Sequence, residues 1–597
     1  VPARTALAAW HATIKPYGRD ATEEEARGVA RRLGAGGVVL GTIVTAPGRL
    51  ILNGSLLDVQ RGRPRAEAQV EGVPDSLLSL IDQFAARLAA LNSGERADRL
   101  ASLTSTSLPA LYAYLAGKAT YRAGRYDAAA RHFEQALGLD STFALAAMGV
   151  GVAAGWASVD PREHERSMRL AWTYRDRLGP RERVFLDALA GPRYPAPPQP
   201  RERIQVWEEA VRQVPDDPDL WTNLGDAYFH DGALADVEEP LQRATEAFDR
   251  ALALDPALNV EPAIHLMQIA AMEGDTAKVR RLVSRIGEDD TASAYLRLEA
   301  GAVLGDSAML AAARTIVDST GSNVGQLLGD ARAFGFAIQE AERSAGVYLK
   351  RWRPDPRPWP AIEIFNFYHQ LGRPAQAAAA LAKMVPEEAP ASNITFVLVH
   401  AILGYVGPAV ATKVLARLIP LLDDAVPRDS SAREEQYNVL CVVEWWRLVH
   451  GDTRTARAVI RRLAGDRRHC GVLLEALLAS AEHRADADAA FGQLDTLLLT
   501  GEGRSSWIMP VVRWREAQGD VRRALRTVRR CVRYGRTVNV SNCLREEGHL
   551  AELVGDREGA IKAYSHYLAL RYNPEPAVKP EVDQVRAELA RLVGEPR

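Results

Sequence analysis

Cysteine is scarce in this chain: four residues in 597, Cys441, Cys470, Cys531 and Cys543, with no CxxC spacing among them. That weighs against a zinc ribbon and a thioredoxin-like redox pair, and a chain of this length needs no disulfide scaffold. Cys531 falls near the end of one expected helix and Cys543 inside the next, so the two are placed to meet. They are read as two buried thiols rather than a bridge. An excess of one charge sign is also missing. The 74 Lys and Arg against 76 Asp and Glu leave a formal net charge of −2, so no cationic surplus exists to release counterions from nucleic acid.

Long apolar runs are missing as well. The most apolar stretch, Phe396 to Leu422, is broken by His400, Pro408, Lys413 and Arg417, and reads as a buried helix pair rather than a membrane span. Catalytic signatures are absent: there is no HExxH and no GxSxG, and the 12 histidines are scattered. Isolated histidines such as His230 and His450 read as surface or satisfied core residues, and the many "GD" pairs as turns and caps. No enzyme activity, cofactor or metal is expected.

What is present is ordinary in composition and periodic in order. Hydrophobic residues at 47% and charged residues at 25% describe a folded soluble protein. Its length exceeds one compact core, leaving several domains or a repeat array. The chain opens on Val1 without a Met. This fits a processed or truncated product, with targeting or anchoring sequence upstream and an extracytoplasmic location, periplasm or cell surface; the alternative location is the cytoplasm.

Residues 1–95 form a small α+β domain. Thr22 and Glu25 have capping-box spacing for a helix that Gly34 stops. Three β-rich segments follow, separated by the turn signals "APGR" (Ala46 to Arg49) and "RGRP" (Arg61 to Pro64). A helix over about 75–91 then presents Leu77, Leu80, Ile81, Phe84 and Leu88 on one face. The glycines of "GAGGVVLG" follow a helix and open a strand, the reverse of a dinucleotide fingerprint.

The stretch "YRAGRYDAAARHFEQAL", Tyr121 to Leu137, sets the pattern for the rest. Gly117 lets one helix approach the next, Gly124 ends it in a left-handed cap, Tyr126 covers the turn, and Ala129, Phe133 and Ala136 recur on one face of the second helix. The same glycine-to-alanine step of five returns at Gly372 and Ala377, Gly451 and Ala456, Gly519 and Ala524, and Gly555 and Ala560. A 34-residue period predicts a further copy at Ala485, Ala490 and Leu494. Another copy places Trp221, Leu224, Gly225 and Tyr228 on a first helix and Ala244, Phe248, Ala251 and Pro256 on a second. Its turn, "HDGALADVEEP", is about seven residues longer than the others and is a candidate binding loop. The segments from Leu266 and from Tyr295 are degenerate copies.

These hairpins resemble tetratricopeptide repeats. The implied fold is mostly α, an α-solenoid of about twelve hairpins over 108–592, divided as 108–190, 201–350 and 361–592 by the proline-rich joints "GPRYPAPPQP" and "RWRPDPRPWP", where Trp352 and Trp359 are expected to pack on the flanking hairpins. A terminal amphipathic helix caps it. Leu33, Gly34, Ala35, Val38, Val39, Gly41, Leu56 and Asp58 resemble a TolB amino-terminal-like domain that lacks its leading strand. Together the two resemble the carboxy-terminal sensory half of bacterial serine/threonine kinase-associated repeat proteins.

A repeat superhelix offers a concave wall of first helices to a protein or peptide partner. The positions expected there are Tyr114, Lys118, Tyr121 and Arg122, then Thr222, Asp226, Phe229 and His230, and Trp445. The aromatics among them either grip a partner or fill the inside of the coil, and an exposed Trp445 would be a hot spot. The Lys and Asn clamp of chaperone-tail receptors is absent. The alternative to a non-catalytic interaction scaffold or sensory module is a self-assembling homo-oligomer or filament.

Overall fold

The protein is described by a computed structural model covering residues 9–10, 21–74, 77–92, 107–155, 161–255, 260–286, 293–321, 323–351, 359–384, 392–404, 408–422, 430–463, 469–499, 505–532 and 539–594. The chain forms two compact units, Val1–Ala190 and Gly191–Arg597. Among the described residues there are 29 α-helices and three strands. This is an α-solenoid of helical hairpins preceded by a small α+β domain.

In the first unit, the helix Glu23–Arg32 starts as its sequence requires: the Thr22 hydroxyl accepts from the Glu25 amide at 3.3 Å, and the Glu25 carboxylate accepts from the Thr22 amide at 2.9 Å. The strands β1 (Gly37–Ala46), β2 (Arg49–Asp58) and β3 (Pro64–Gly72) form an antiparallel meander in that order. Asp58 closes its second turn. One carboxylate oxygen accepts from the amides of Gln60 (2.9 Å) and Arg61 (2.7 Å), the other from the Arg65 guanidinium, and these bonds lower its pKa to about 2. The helix Leu77–Asn92 packs Leu80 between Leu52 and Val70, with Leu77 and Phe84 beside them. Ile81, expected on the same face, is 43% exposed: helical rotation carries it past the edge of a three-stranded sheet.

Two hairpins follow, Leu108–Arg122 with Tyr126–Leu139 and Ala144–Ala153 with Pro161–Thr173, and then the helix Pro180–Ala190. A Cβ on Gly117 would stand 2.5 Å from the Phe133 ring, which is why that position carries none. The second unit opens with the helix Pro200–Gln213 and continues as ten hairpins, from Pro218–Asp231 with Pro240–Leu254 to Val540–Leu553 with Arg557–Leu570, ending on the helix Lys579–Gly594. The five-residue step has a simple structural meaning. Gly124, Gly372, Gly451, Gly519 and Gly555 all have φ between 73° and 83°, and Ala129, Ala377, Ala456, Ala524 and Ala560 are all fully buried where two helices touch. In the copy predicted by period, Ala490 and Leu494 lie on the helix Ala487–Leu499. There His483, two places before Ala485, takes the left-handed conformation at φ 52°. The first proline-rich joint is a series of turns ending at Pro200; residues 352–358 of the second, with Trp352, and Pro256 lie outside the described residues.

Two expectations need correction. All four cysteines are bridged: Cys441 to Cys470 and Cys531 to Cys543, with Cα separations of 5.9 and 6.1 Å. Each pair lies on neighbouring helices whose spacing suits a disulfide, so buried thiols are not what the packing holds. Nor is the wall of first helices an open trough throughout. Within the second unit, residues 541–575 pack back onto residues 332–376. Gln370 Oε1 accepts from the Ser541 amide (2.7 Å), the Arg332 carbonyl contacts His566 Nε2 (3.1 Å), and Arg373 donates to the Asn573 carbonyl (2.9 Å). The Glu575 carboxylate accepts from the amides of Ala375 (2.9 Å) and Gln376 (3.2 Å), capping the helix Pro374–Met384.

Candidate functional site

The residues expected on the concave wall divide into two groups. Tyr114 is buried with its ring against Phe133 (5.8 Å) and Phe143 (5.2 Å). Thr222 is buried, its hydroxyl donating to the Pro218 carbonyl at 3.0 Å. Phe229 is buried against His265 (4.4 Å) and Phe334 (5.7 Å), and Trp445 is 3% exposed. These four are core, not contact surface, because their side of the first helix is covered by neighbouring elements; Trp445 is not the exposed tryptophan that a hot spot requires. Lys118, Tyr121 and Arg122 are partly exposed in the first unit, with Tyr121 edge-on to Tyr126 at 5.2 Å. In the second, His230 is exposed and Asp226 largely buried.

Asp226 and His230 share a face of Pro218–Asp231 by their four-residue spacing. Asp226 Oδ1 lies 3.3 Å from His230 Nε2 and 3.5 Å from His265 Nε2, the latter carried by the helix Val260–Glu273. Arg203 donates to the other Asp226 oxygen and, at 2.9 Å, to Asp231. Burial works against ionising Asp226, but His230 and Arg203 outweigh it and hold the carboxyl well below the usual carboxylate range.

A polar ladder extends from this cluster. His265 Nδ1 meets Gln268 Oε1 at 3.1 Å, Gln268 Nε2 donates to Asp330 at 3.1 Å, and Gln326 donates to the other Asp330 oxygen at 2.9 Å. Glu299 lies against Asp330. Burial pushes Glu299 well above its ordinary range, the neighbouring Asp330 charge adding to it, and burial raises Asp330 to about 7. The two ends differ in their charged neighbours: His230 and the Arg203 guanidinium offset burial at Asp226, whereas Glu299 and Asp330 are two carboxyls sharing a buried site where burial dominates. Asp226, His265, Glu299 and Asp330 come from four successive first helices. Sequence reading passed over the last three; the available signal was a titratable side chain flanked by apolar residues on each helix.

Beyond His230 the long turn departs from its relatives. Asp236 (φ 59°) and Glu239 (φ 49°) are non-glycine residues in the left-handed region, a conformation that costs on the order of 1 kcal/mol each. The turn forms one side of a cavity of about 610 Å³; the other side comes from helices of the last two hairpins, including Arg526, Glu558, Lys562 and His566. Arg529, also in the lining, is held between Glu547 (3.1 Å) and Asp556. The candidate loop therefore faces the carboxy-terminal hairpins of its own unit.

No family model matches this chain, and no curated protein matches it. The solved structures similar to it include the crystal structure of the APC/C hetero-tetramer Cut9-Hcn1, at 12% identity over 82% of this chain and 92% of that one, with a TM-score of 0.24. A circular tandem repeat protein with novel repeat topology and enhanced subunit contact surfaces is similar at 14% identity over 87% and 97%, with a TM-score of 0.10. The helical-repeat architecture itself stands on the hairpins described above and on their recurring glycine, alanine and aromatic positions.

Proposed function

We propose that this chain is a non-catalytic protein-interaction module that takes a polypeptide segment of its partner into the cavity beneath the 232–239 turn. One observation carries the reading: the turn that breaks the repeat length also holds two residues in a strained conformation and lines a cavity. In that lining the acidic side chains, Asp236, Glu239 and Glu558 among them, outnumber the three cations Arg526, Arg529 and Lys562, so the segment it suits is basic. The test is affinity capture with the native chain beside Glu239→Lys and Glu558→Lys. A partner retained by the native chain and lost by both variants, at unchanged melting temperature, is expected; identical retention overturns the reading.

The TolB-like pattern of residues 1–92 extends this to an extracytoplasmic sensory part of a larger signalling protein. The two disulfides support an oxidising compartment. Four reactive thiols in protein isolated unfolded without reductant would remove that support. Self-assembly is favoured by a separate feature: β1 is paired on one side only among the described residues, and Val39, Ile43 and Val44 on it are 52%, 58% and 47% exposed. A solution mass that falls from oligomer to monomer on Ile43→Lys is expected; a native chain already monomeric at high concentration eliminates this second reading.

A further inference from the structure

Three donor atoms from two adjacent hairpins converge in the second unit. The atoms Asp226 Oδ1, His230 Nε2 and His265 Nε2 all lie within 4.8 Å of one another, with the carboxylate oxygen 3.3 Å from the first histidine and 3.5 Å from the second. Zinc holds imidazole nitrogen and carboxylate oxygen at about 2.1 Å, which sets tetrahedral ligand atoms about 3.4 Å apart. Two of the three edges already have that length.

The surrounding hydrogen bonds orient the ligands. Asp330 accepts amide protons at both oxygens, from Gln326 and from Gln268, and this turns Gln268 Oε1 toward His265 Nδ1. An amide oxygen only accepts, so Nδ1 carries a ring proton, and Nε2 is the ring nitrogen that points at Asp226 Oδ1. The two atoms face each other across 3.5 Å. Either a proton or a metal cation between them satisfies both. Arg203 engages the second Asp226 oxygen, so Oδ1 is the one that faces the two imidazoles. Phe229 and Phe248 pack on the His265 ring, at centroid distances of 4.4 and 5.3 Å, and fix its plane. An outer shell of this kind, a hydrogen-bonded second ring nitrogen and apolar packing, is what orients metal-ligating histidines generally. The His230 side chain is 49% exposed, which provides entry and an open coordination position.

We propose that Asp226, His230 and His265 form a three-ligand site for a divalent transition-metal ion, with Zn²⁺ the first candidate. Two imidazoles and one carboxylate suit such ions and not Mg²⁺ or Ca²⁺, which take oxygen shells. The bound ion ties Pro218–Asp231 to Val260–Glu273 and leaves its remaining position to water or to a carboxylate or imidazole from a partner. The site does not depend on the interaction reading above.

The experiment uses the full chain, stripped with EDTA and dialysed, titrated calorimetrically with Zn²⁺ and spectroscopically with Co²⁺. One equivalent of Zn²⁺ bound, a visible four-coordinate Co²⁺ spectrum bleached by Zn²⁺, and a melting temperature raised by Zn²⁺ are expected. His230→Ala changes an exposed side chain, keeps the fold and loses this equivalent. Gln268→Ala keeps all three ligands and binds about 10- to 100-fold more weakly. No stoichiometric uptake by the native chain, or equal uptake by His230→Ala, overturns the proposal. So does nitrogen NMR showing His265 held as a cation by Asp226 with no metal taken up, which assigns the gap to a proton.

Discussion

The hairpin Leu108–Leu139 and the hairpin Pro218–Leu254 are built on one plan and used differently. In each, an aromatic ring of the second helix occupies the space over a glycine of the first: Phe133 over Gly117 and Phe248 over Gly225, with Ala129 and Ala136 in one and Ala244 and Ala251 in the other fully buried beside them. They differ at the turn, where one closes on Gly124 and the other runs through Asp236 and Glu239. They differ again on the first helix, where Tyr114 completes an aromatic cluster in one and Asp226 with His230 opens a polar cluster in the other. Small and large residues at helical spacing are what make a hairpin stack. The positions that stacking does not use are where the two diverge, so the divergence is the place to look for a specific role.

Three perturbations test how far the shared plan extends. The largest is Phe133→Ala beside Phe248→Ala: each removes a buried ring and costs about 4 kcal/mol, equally in the two hairpins, read as lost hydrogen-exchange protection of the hairpin concerned. A much smaller loss at Phe248 would mean that the polar ladder, not the ring, holds the longer hairpin. The next is pH. Asp330, raised from 3.8 to about 7, keeps a proton in the fold that the unfolded chain has released. Its contribution to stability is therefore full below about pH 4 and is lost as pH rises to about 7, by up to about 1.4 kcal/mol per unit. Urea unfolding with EDTA present should show Asp330→Asn flattening that part of the profile, and an unchanged slope would remove Asp330 from the account. The smallest effect is at the turns. Gly124→Ala places a Cβ at φ 75° and costs about 1 kcal/mol, whereas Asp236→Gly and Glu239→Gly relieve positive φ and are neutral or stabilise by up to about 1 kcal/mol. Destabilisation by the two glycine substitutions, in a melting curve, would show that the loop side chains hold the turn.

Much of the fold was legible because its signals are local. The capping box at Thr22, the turns of the meander and the glycine-to-alanine step each involve residues within a few positions of one another, and each reappears in the structure. The site was half legible. Asp226 and His230 stand out as a pair on one helix, but His265 belongs to the next hairpin and only stacking brings it to them. Nothing near Cys441 announces Cys470, 29 residues on, and nothing near Arg373 announces Asn573.

By itself the sequence determined that this chain stacks helical hairpins behind a small three-stranded unit, because helical period, chain reversal and side-chain volume are properties of short segments. Tertiary structure alone decided which cysteines join, which aromatics are buried, and that the last hairpins cover residues 332–376. Those outcomes depend on which helices come to lie against one another, and no short segment of the chain encodes its distant neighbours.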